Sequence, residues 1–338
     1  DLRQELQEGN RSIFSRKLQE LMTDRLNKGQ QTILFLNRRG YAGFVSCRSC
    51  GEVMKCPHCD VSLSEHKGGR LICHYCGYTQ PMPKLCPKCG SKYILGFKAG
   101  TQQIEEKLKE LYPGVRTLRM DADTTRTKDS YEKILSSFAN GEADVLIGTQ
   151  MIVKGHDFPK VTLVGILAAD LSLNASDYRA GERTFQLLTQ AVGRAGRGVL
   201  PGEAVIQTYQ PDHYAITCAA AQDYESFYQE EILYRELSGY PPVAHMLAVQ
   251  IYGKEEENVK QLALRLTDVV KSNMDFLSGK QKEQSNKKIQ VLGPAPANIS
   301  KINDIYRYVF YVKHAEYDVL VEVKDRLEET LRQWQPRQ

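Results

Sequence analysis

No stretch of the sequence approaches the roughly 20 uninterrupted apolar residues that cross a bilayer, and the opening DLRQELQEGNRS has no apolar signal core. These absences lead us to expect a soluble, cytoplasmic protein with no membrane partner. Excess charge is scarce as well. A formal net charge of only +4 does not announce a polyanion-binding protein, so any such surface must come from local basic patches. Also missing are a phosphate-binding loop of the form G-x-x-x-x-G-K-[ST] and any D-E-x-H sequence, so the chain by itself is expected not to hydrolyse a nucleoside triphosphate. It opens on Asp1 with a charged helical pattern already under way, as expected of part of a longer chain.

What is present is ample for folding. With 41% hydrophobic and 25% charged residues in 338, two or three ordinary globular domains are the natural expectation.

The strongest local signal is cysteine. Eight of the nine fall within residues 47–89 as four C-x-x-C pairs: Cys47/Cys50, Cys56/Cys59, Cys73/Cys76 and Cys86/Cys89. Each pair is a knuckle that aims two sulfurs at one point, and two knuckles close a tetrahedral four-sulfur site suited to a structural zinc. Glycine follows three pairs, at Gly51, Gly77 and Gly90, and proline follows the first cysteine at Pro57 and Pro87, both suited to tight turns. A disulfide framework is the alternative, but a reducing cytosol keeps thiols free.

Four knuckles can be paired three ways, and spacing only partly decides. Thirteen residues separate Cys59 from Cys73 and five separate Cys50 from Cys56; the longer gap has room for a β-hairpin. That favours a nested arrangement, with Cys47, Cys50, Cys86 and Cys89 as one site and Cys56, Cys59, Cys73 and Cys76 as the other. All eight ligands are thiolates and leave no open position for water, so the two zinc ions are expected to be structural rather than catalytic. Two dications set against eight thiolates bring the chain to about neutral. His58, His66 and His74 are expected on the surface, and Cys218 as a small core residue. Basic residues including Arg48, Lys55 and Lys88 alternate here with Tyr75, Tyr78 and Tyr93, a mixture suited to phosphate contact and base stacking as well as to plain packing.

Around this segment lie apolar runs at 32–36, 115–120, 143–147, 161–167 and 204–208, the pattern of strands buried on both faces. Amphipathic stretches at 12–27, 102–111, 127–140 and 182–192 alternate with them, which implies an α/β fold with a parallel sheet. Ser12 is the expected N-cap of the first helix and Gly29 its stop. The cysteine segment interrupts the alternation after the first strand. We therefore expect a lobe over 1–45 and 98–236, split by a two-zinc module at 46–97. From about Gly239 the alternation gives way to strand-like HMLAVQIYG, IQVLGP and YRYVFYVK with helical stretches at 255–274 and 318–334, a small α+β domain over 237–338. Lys301, Tyr306, Arg307 and Tyr308 sit near strand starts there, suited to a phosphate backbone or to packing.

In open α/β sheets, ligands bind at loops beyond the carboxyl ends of strands, and three polar, glycine-marked segments sit at such points: ILFLNRRGYAG, VLIGTQMIVKGHDFPKVTLV and QAVGRAGRG. They resemble motifs IV, V and VI of superfamily 2 helicases. TQMIVKGHDFP together with DYRAGERTFQLLTQAVGRAGRG, and the four knuckles at this insertion point, resemble the primosomal PriA family of bacterial DNA helicases over nearly the whole chain.

The resemblance implies a RecA-like second motor lobe. In it Arg194 and Arg197 reach an ATP γ-phosphate on a lobe outside this chain, Gln190 positions phosphate or water, and Gly155, Asp157 and Gly193 line the nucleotide side. Thr149, Gln150, Lys154, Arg38 and Arg39 would meet DNA. It further implies ATP with Mg²⁺ in the longer protein, 3′ to 5′ movement, and remodelling of stalled forks to restart replication. Forked and single-stranded DNA, single-stranded-DNA-binding protein and helicase-loading proteins would be the partners of a monomer associated with the nucleoid. The terminal domain resembles that family's C-terminal domain, itself similar to a ribosomal protein fold. The competing expectation is a non-catalytic, zinc-containing nucleic-acid-binding scaffold that keeps a motor-like fold.

Overall fold

The computed structural model describes residues 1–36, 45–59, 61–66, 69–95, 100–121, 124–125, 128–149, 158–175, 177–196, 198–272 and 288–334. Two compact units divide the chain: Asp1–Met54 with Pro83–Tyr228, and Lys55–Met82 with Gln229–Gln338. The segment expected as one module, 46–97, is thus shared between them.

In the first unit, α1 (Leu2–Gln7) and α2 (Arg16–Asn27) precede β1 (Gln31–Phe35), and the short strands β2 (Ser46–Cys47) and β6 (Ile94–Leu95) pair where the outer cysteines lie. The alternation then resumes as α3 (Thr101–Leu111), β7 (Thr117–Met120), α4 (Lys128–Ala139), β8 (Val145–Gly148) and β9 (Val161–Ile166). It continues through α5 (Asp170–Leu173), α6 (Ala180–Val192), β10 (Glu203–Ile206) and α7 (Tyr214–Ala221). The five long strands form one sheet in the order β10-β9-β1-β8-β7, and every pairing is parallel.

The apolar runs are explained by burial on both sides. Ile33 and Phe35 point into one core with Phe138, Phe185 and Leu188, whereas Leu34 and Leu36 point into the other with Leu18, Met22, Ile104 and Leu108. Gly165 interrupts β9 for a steric reason: a Cβ there would lie 2.8 Å from Leu34 Cδ2 and 2.9 Å from Leu18 Cδ1. Helix α2 starts later than Ser12. The hydroxyl of Ser12 accepts from Phe14 N–H in a turn, and it is Ser15, in extended geometry, that caps the helix by accepting from Leu18 N–H. Gly29 does end it, with φ +65°, a conformation open to glycine at little cost.

The second unit contains a ribbon of β3 (Ser64–His66), β4 (Arg70–Ile72) and β5 (Thr79–Pro81), joined antiparallel. It also contains β11 (His245–Gly253), α9 (Glu256–Ser272), β12 (Gln290–Ile302), β13 (Ile305–His314) and α10 (Tyr317–Trp334). The larger sheet runs β11-β13-β12, antiparallel throughout. Ile251, Phe310 and Val312 pack there against Val259, Ala263 and Leu266 of α9 and Val319, Leu320 and Val323 of α10. This is the α+β arrangement expected, except that β12 continues well past the IQVLGP run. A register shift between Leu292 and Ala295 takes up the residues around Pro294, which lacks an N–H for the ladder. Helix α8 (Tyr224–Ser238) carries a buried pair, Arg235 Nε donating to Glu231 Oε1 at 2.7 Å, and Arg235 also donates to the Pro241 carbonyl at 2.6 Å. No helix among the described residues is long and apolar enough to cross a membrane.

Candidate metal centres and phosphate-motif turn

All four cysteine pairs fold alike. The backbone N–H of the first cysteine donates to the carbonyl five residues on: Cys47 to Glu52, Cys56 to Val61, Cys73 to Tyr78 and Cys86 to Ser91, at 2.7–2.8 Å. The carbonyls of Cys47, Cys73 and Cys86 accept in turn from Gly51, Gly77 and Gly90, whose φ values of +78°, +79° and +71° belong to the left-handed region that glycine enters most easily. Each turn thereby brings its two sulfurs to one side.

The sulfurs gather in two groups, Cys47, Cys50, Cys86 and Cys89, and Cys56, Cys59, Cys73 and Cys76, with all Sγ atoms of a group within 4.8 Å of one another. Cys47 and Cys89 are 3.6 Å apart, as are Cys50 and Cys86, and Cys56 and Cys76 are 3.5 Å apart. A tetrahedron of thiolates about 2.3 Å from zinc has S···S edges of about 3.8 Å. The fit is close, and soft thiolate donors are the chemistry zinc takes in structural sites. Thiols packed this tightly cannot all ionise without a cation to share. A hydrogen bond from Cys59 holds Cys73 down at about 5, while that same contact, with burial, pushes Cys59 far up. When bound, zinc would supply cross-linking and charge neutralisation, with no position left for substrate.

The inner group is set in the second unit more deeply than its sequence suggests. His74, expected on the surface, is 2% exposed. Its Nδ1 lies 3.1 Å from the Pro296 carbonyl oxygen and its Nε2 lies 3.1 Å from Nε2 of His66, which is half-buried. Tyr75 is likewise buried, its ring against Tyr311 at 4.8 Å and Tyr240 at 6.4 Å, and the Tyr240 hydroxyl donates to the Cys59 carbonyl at 3.1 Å. Local sequence cannot register the contacts with Pro296, Tyr240 and Tyr311, because those partners lie more than 150 residues further along. His58 is exposed and Cys218 is buried in the core. In the first unit, Arg48 N–H donates to the Tyr93 carbonyl, and Gly51 presses on Tyr209, where a Cβ would lie 2.4 Å from the carbonyl oxygen.

The glycine-rich turn closing α6 lies against the segment leading into β9. Gly193 caps the helix, donating to Thr189 at 3.0 Å, and Arg194 N–H donates to Ala191 at 3.0 Å. Gly196 N–H then donates to the Val161 carbonyl at 3.1 Å. Gly198 sits so close to Pro159 that a Cβ would fall 2.4 Å from its carbonyl oxygen, and Gly202 sits on Gly196 at 2.2 Å by the same measure. Gln190 is exposed on α6 and Arg194 is half-buried. Thr149 follows β8, its N–H donating to the Met120 carbonyl, and Leu36 follows β1 on the neighbouring strand, donating to the Gly148 carbonyl. Arg38, Arg39, Gln150, Lys154, Gly155, Asp157 and Arg197 lie outside the described residues.

Sequence reading passed over Asp170. It opens α5 at 4% exposure, and burial pushes its carboxyl up to about 6, against the pull of the Tyr209 N–H and the Thr208 hydroxyl that donate to it. A lone acid inside the apolar LAADLSL was the available signal.

Comparison with known proteins gives three family matches: the PriA DNA helicase Cys-rich region domain at residues 56–81, the Helicase conserved C-terminal domain at 85–199, and the Primosomal protein N C-terminal domain at 236–338. The chain is 46% identical to the replication restart protein PriA of Bacillus subtilis over 317 residues, which is 94% of this chain and 38% of that protein. It is 43% identical to PriA of Synechocystis over 97% of this chain and 39% of that protein. The chain therefore spans about two fifths of the length of these curated relatives.

Proposed function

Because the chain belongs to the PriA family of replication restart proteins, we propose that it forms the second motor lobe and terminal domain of an ATP-dependent DNA helicase. Arg194 and Arg197 neutralise the charge that builds on the transferring phosphoryl group, which demands positioned cations. Gln190 orients water or phosphate, and Gly155, Asp157 and Gly193 border the nucleotide, bound with Mg²⁺ on a further lobe. Thr149, Gln150, Lys154, Arg38 and Arg39 hold DNA. Such a motor moves 3′ to 5′, remodels stalled forks, and works with single-stranded-DNA-binding protein and helicase loaders in the cytoplasm.

The observation that carries this reading is the packing of Gly196 on Val161 and of Gly198 on Pro159. It joins two motifs distant in sequence at one place, as a phosphate sensor coupled to a DNA-contacting loop requires. The DNA reading is supported by β1 and β8 lying side by side, Phe35 opposite Gly148, so that both basic segments leave from neighbouring strand ends.

The test is DNA-stimulated ATP hydrolysis by the full-length protein. Arg197→Ala is expected to lower turnover by roughly 10³ to 10⁵, the worth of an arginine finger in GTPases, with zinc content and DNA binding retained. Full turnover in that variant refutes the motor assignment and favours the non-catalytic scaffold.

A further inference from the structure

A cavity of about 350 Å³ opens in the first unit, within the roughly 300–1,000 Å³ of small-ligand sites. Its lining includes Leu167, one residue beyond β9, and Tyr209, three beyond β10. These are carboxyl ends of strands, where open α/β sheets bind ligands. The edge is the one from which Leu36 and Thr149 leave β1 and β8, and β8 is two strand spacings from β9, about 10 Å.

We propose that this cavity receives one nucleotide of single-stranded DNA, extending the DNA path past the helicase motifs onto the outer cysteine knuckles. The inference rests on the motor reading above. Leu6 and Ile13 contribute apolar lining, and Tyr93, also in the lining, is 47% exposed, an accessible aromatic side chain of the kind on which bases stack without regard to sequence. Two cations stand in the lining, and Arg11 is the one that serves the phosphate. Arg48 is half-buried and close enough to Tyr209 to act on its hydroxyl electrostatically. Arg11 is exposed and makes no ion pair among the described residues. The lining also holds one carboxylate, Glu5, but that group is already engaged by Asn10 Nδ2 at 2.6 Å and Arg16 Nε at 3.2 Å, so it does not repel the ligand as a bare charge would. Apolar lining, exposed ring and an exposed guanidinium together match a base and its phosphate better than they match an inorganic anion or an acidic peptide.

The test uses the full-length, zinc-loaded protein and a fluorescent oligo-dT strand, read by anisotropy across a salt series. Arg48 lies between two candidate metal ligands, so the variants are Arg11→Ala, Tyr93→Ala and Tyr93→Phe. Tyr93→Ala is expected to weaken binding about fivefold or more, the lower end for a lost stacking platform, and Tyr93→Phe to bind as wild type. Arg11→Ala is expected to reduce the slope of log affinity against log salt by about 0.7, one single-strand phosphate contact. Oligonucleotides carrying 5-iodouracil should crosslink at Tyr93 under ultraviolet light. Wild-type affinity and slope in both alanine variants, with zinc content unchanged and no crosslink at Tyr93, overturn the proposal. DNA-stimulated ATPase of the wild type is read separately: if it is present while the variants bind normally, only the cavity fails, and if it is absent, the motor reading fails whatever the binding shows.

Discussion

Nδ1 of His74 lies 3.1 Å from the carbonyl oxygen of Pro296, a bond from the inner cysteine ribbon to β12. With the Tyr75, Tyr240 and Tyr311 rings it makes the ribbon part of the terminal unit's packing. Structural zinc contributes on the order of 10 kcal/mol to folding in small metal domains. Stripping the metal should therefore open residues 47–89 to protease and lower the melting temperature of the terminal unit, while the parallel sheet stays folded. Limited proteolysis with metal analysis checks this; unchanged cleavage after verified zinc loss counts against it.

Asp170 gives a pH prediction. Its folded carboxyl is raised by burial to about 6 from 3.8, so the folded state holds the proton more tightly than the unfolded one. The sign follows: the stabilisation is present in full below about pH 4 and is lost as pH rises through about 6, on the order of 3 kcal/mol for a two-unit shift. Asp170→Asn should lack this dependence. The difference in unfolding free energy between wild type and variant, followed from pH 4 to 7, cancels effects common to both; a difference flat with pH would sink the assignment.

Gly198→Ala tests the turn beside Arg197. The added methyl would fall 2.4 Å from the Pro159 carbonyl oxygen, and backbone cannot swing aside as a side chain can. We expect about 1–3 kcal/mol of destabilisation, the usual cost of overpacking, and slower ATP turnover in the full-length protein. Denaturant titration and steady-state kinetics measure the two; wild-type values in both would show that the contact is easily relaxed.

Much of this was legible because burial on both faces leaves a mark in local sequence. The runs around Ile33, Leu146 and Val164 read as strands, and the parallel order follows from their alternation with helices. The knuckles were legible because C-x-x-C geometry is a property of four residues. What was not legible depends on distant partners. Ser15 rather than Ser12 caps α2, and the Ser12 hydroxyl instead accepts from Phe14 N–H in the turn before it. His74 and Tyr75 are buried by Pro296, Tyr240 and Tyr311, and nothing near them in the chain announces it. The role of Gly165 needed the positions of Leu18 and Leu34.

Neither compact unit is a continuous stretch of chain: residues 55–82 belong with 229–338. A ribosome therefore releases the ribbon well before the strands that cover His74 and Tyr75 have been made. During that interval the ribbon has only its own strand pairing and the four sulfurs to organise it, so a cell short of zinc should accumulate newly made chains in which residues 229–338 find no finished surface to close upon.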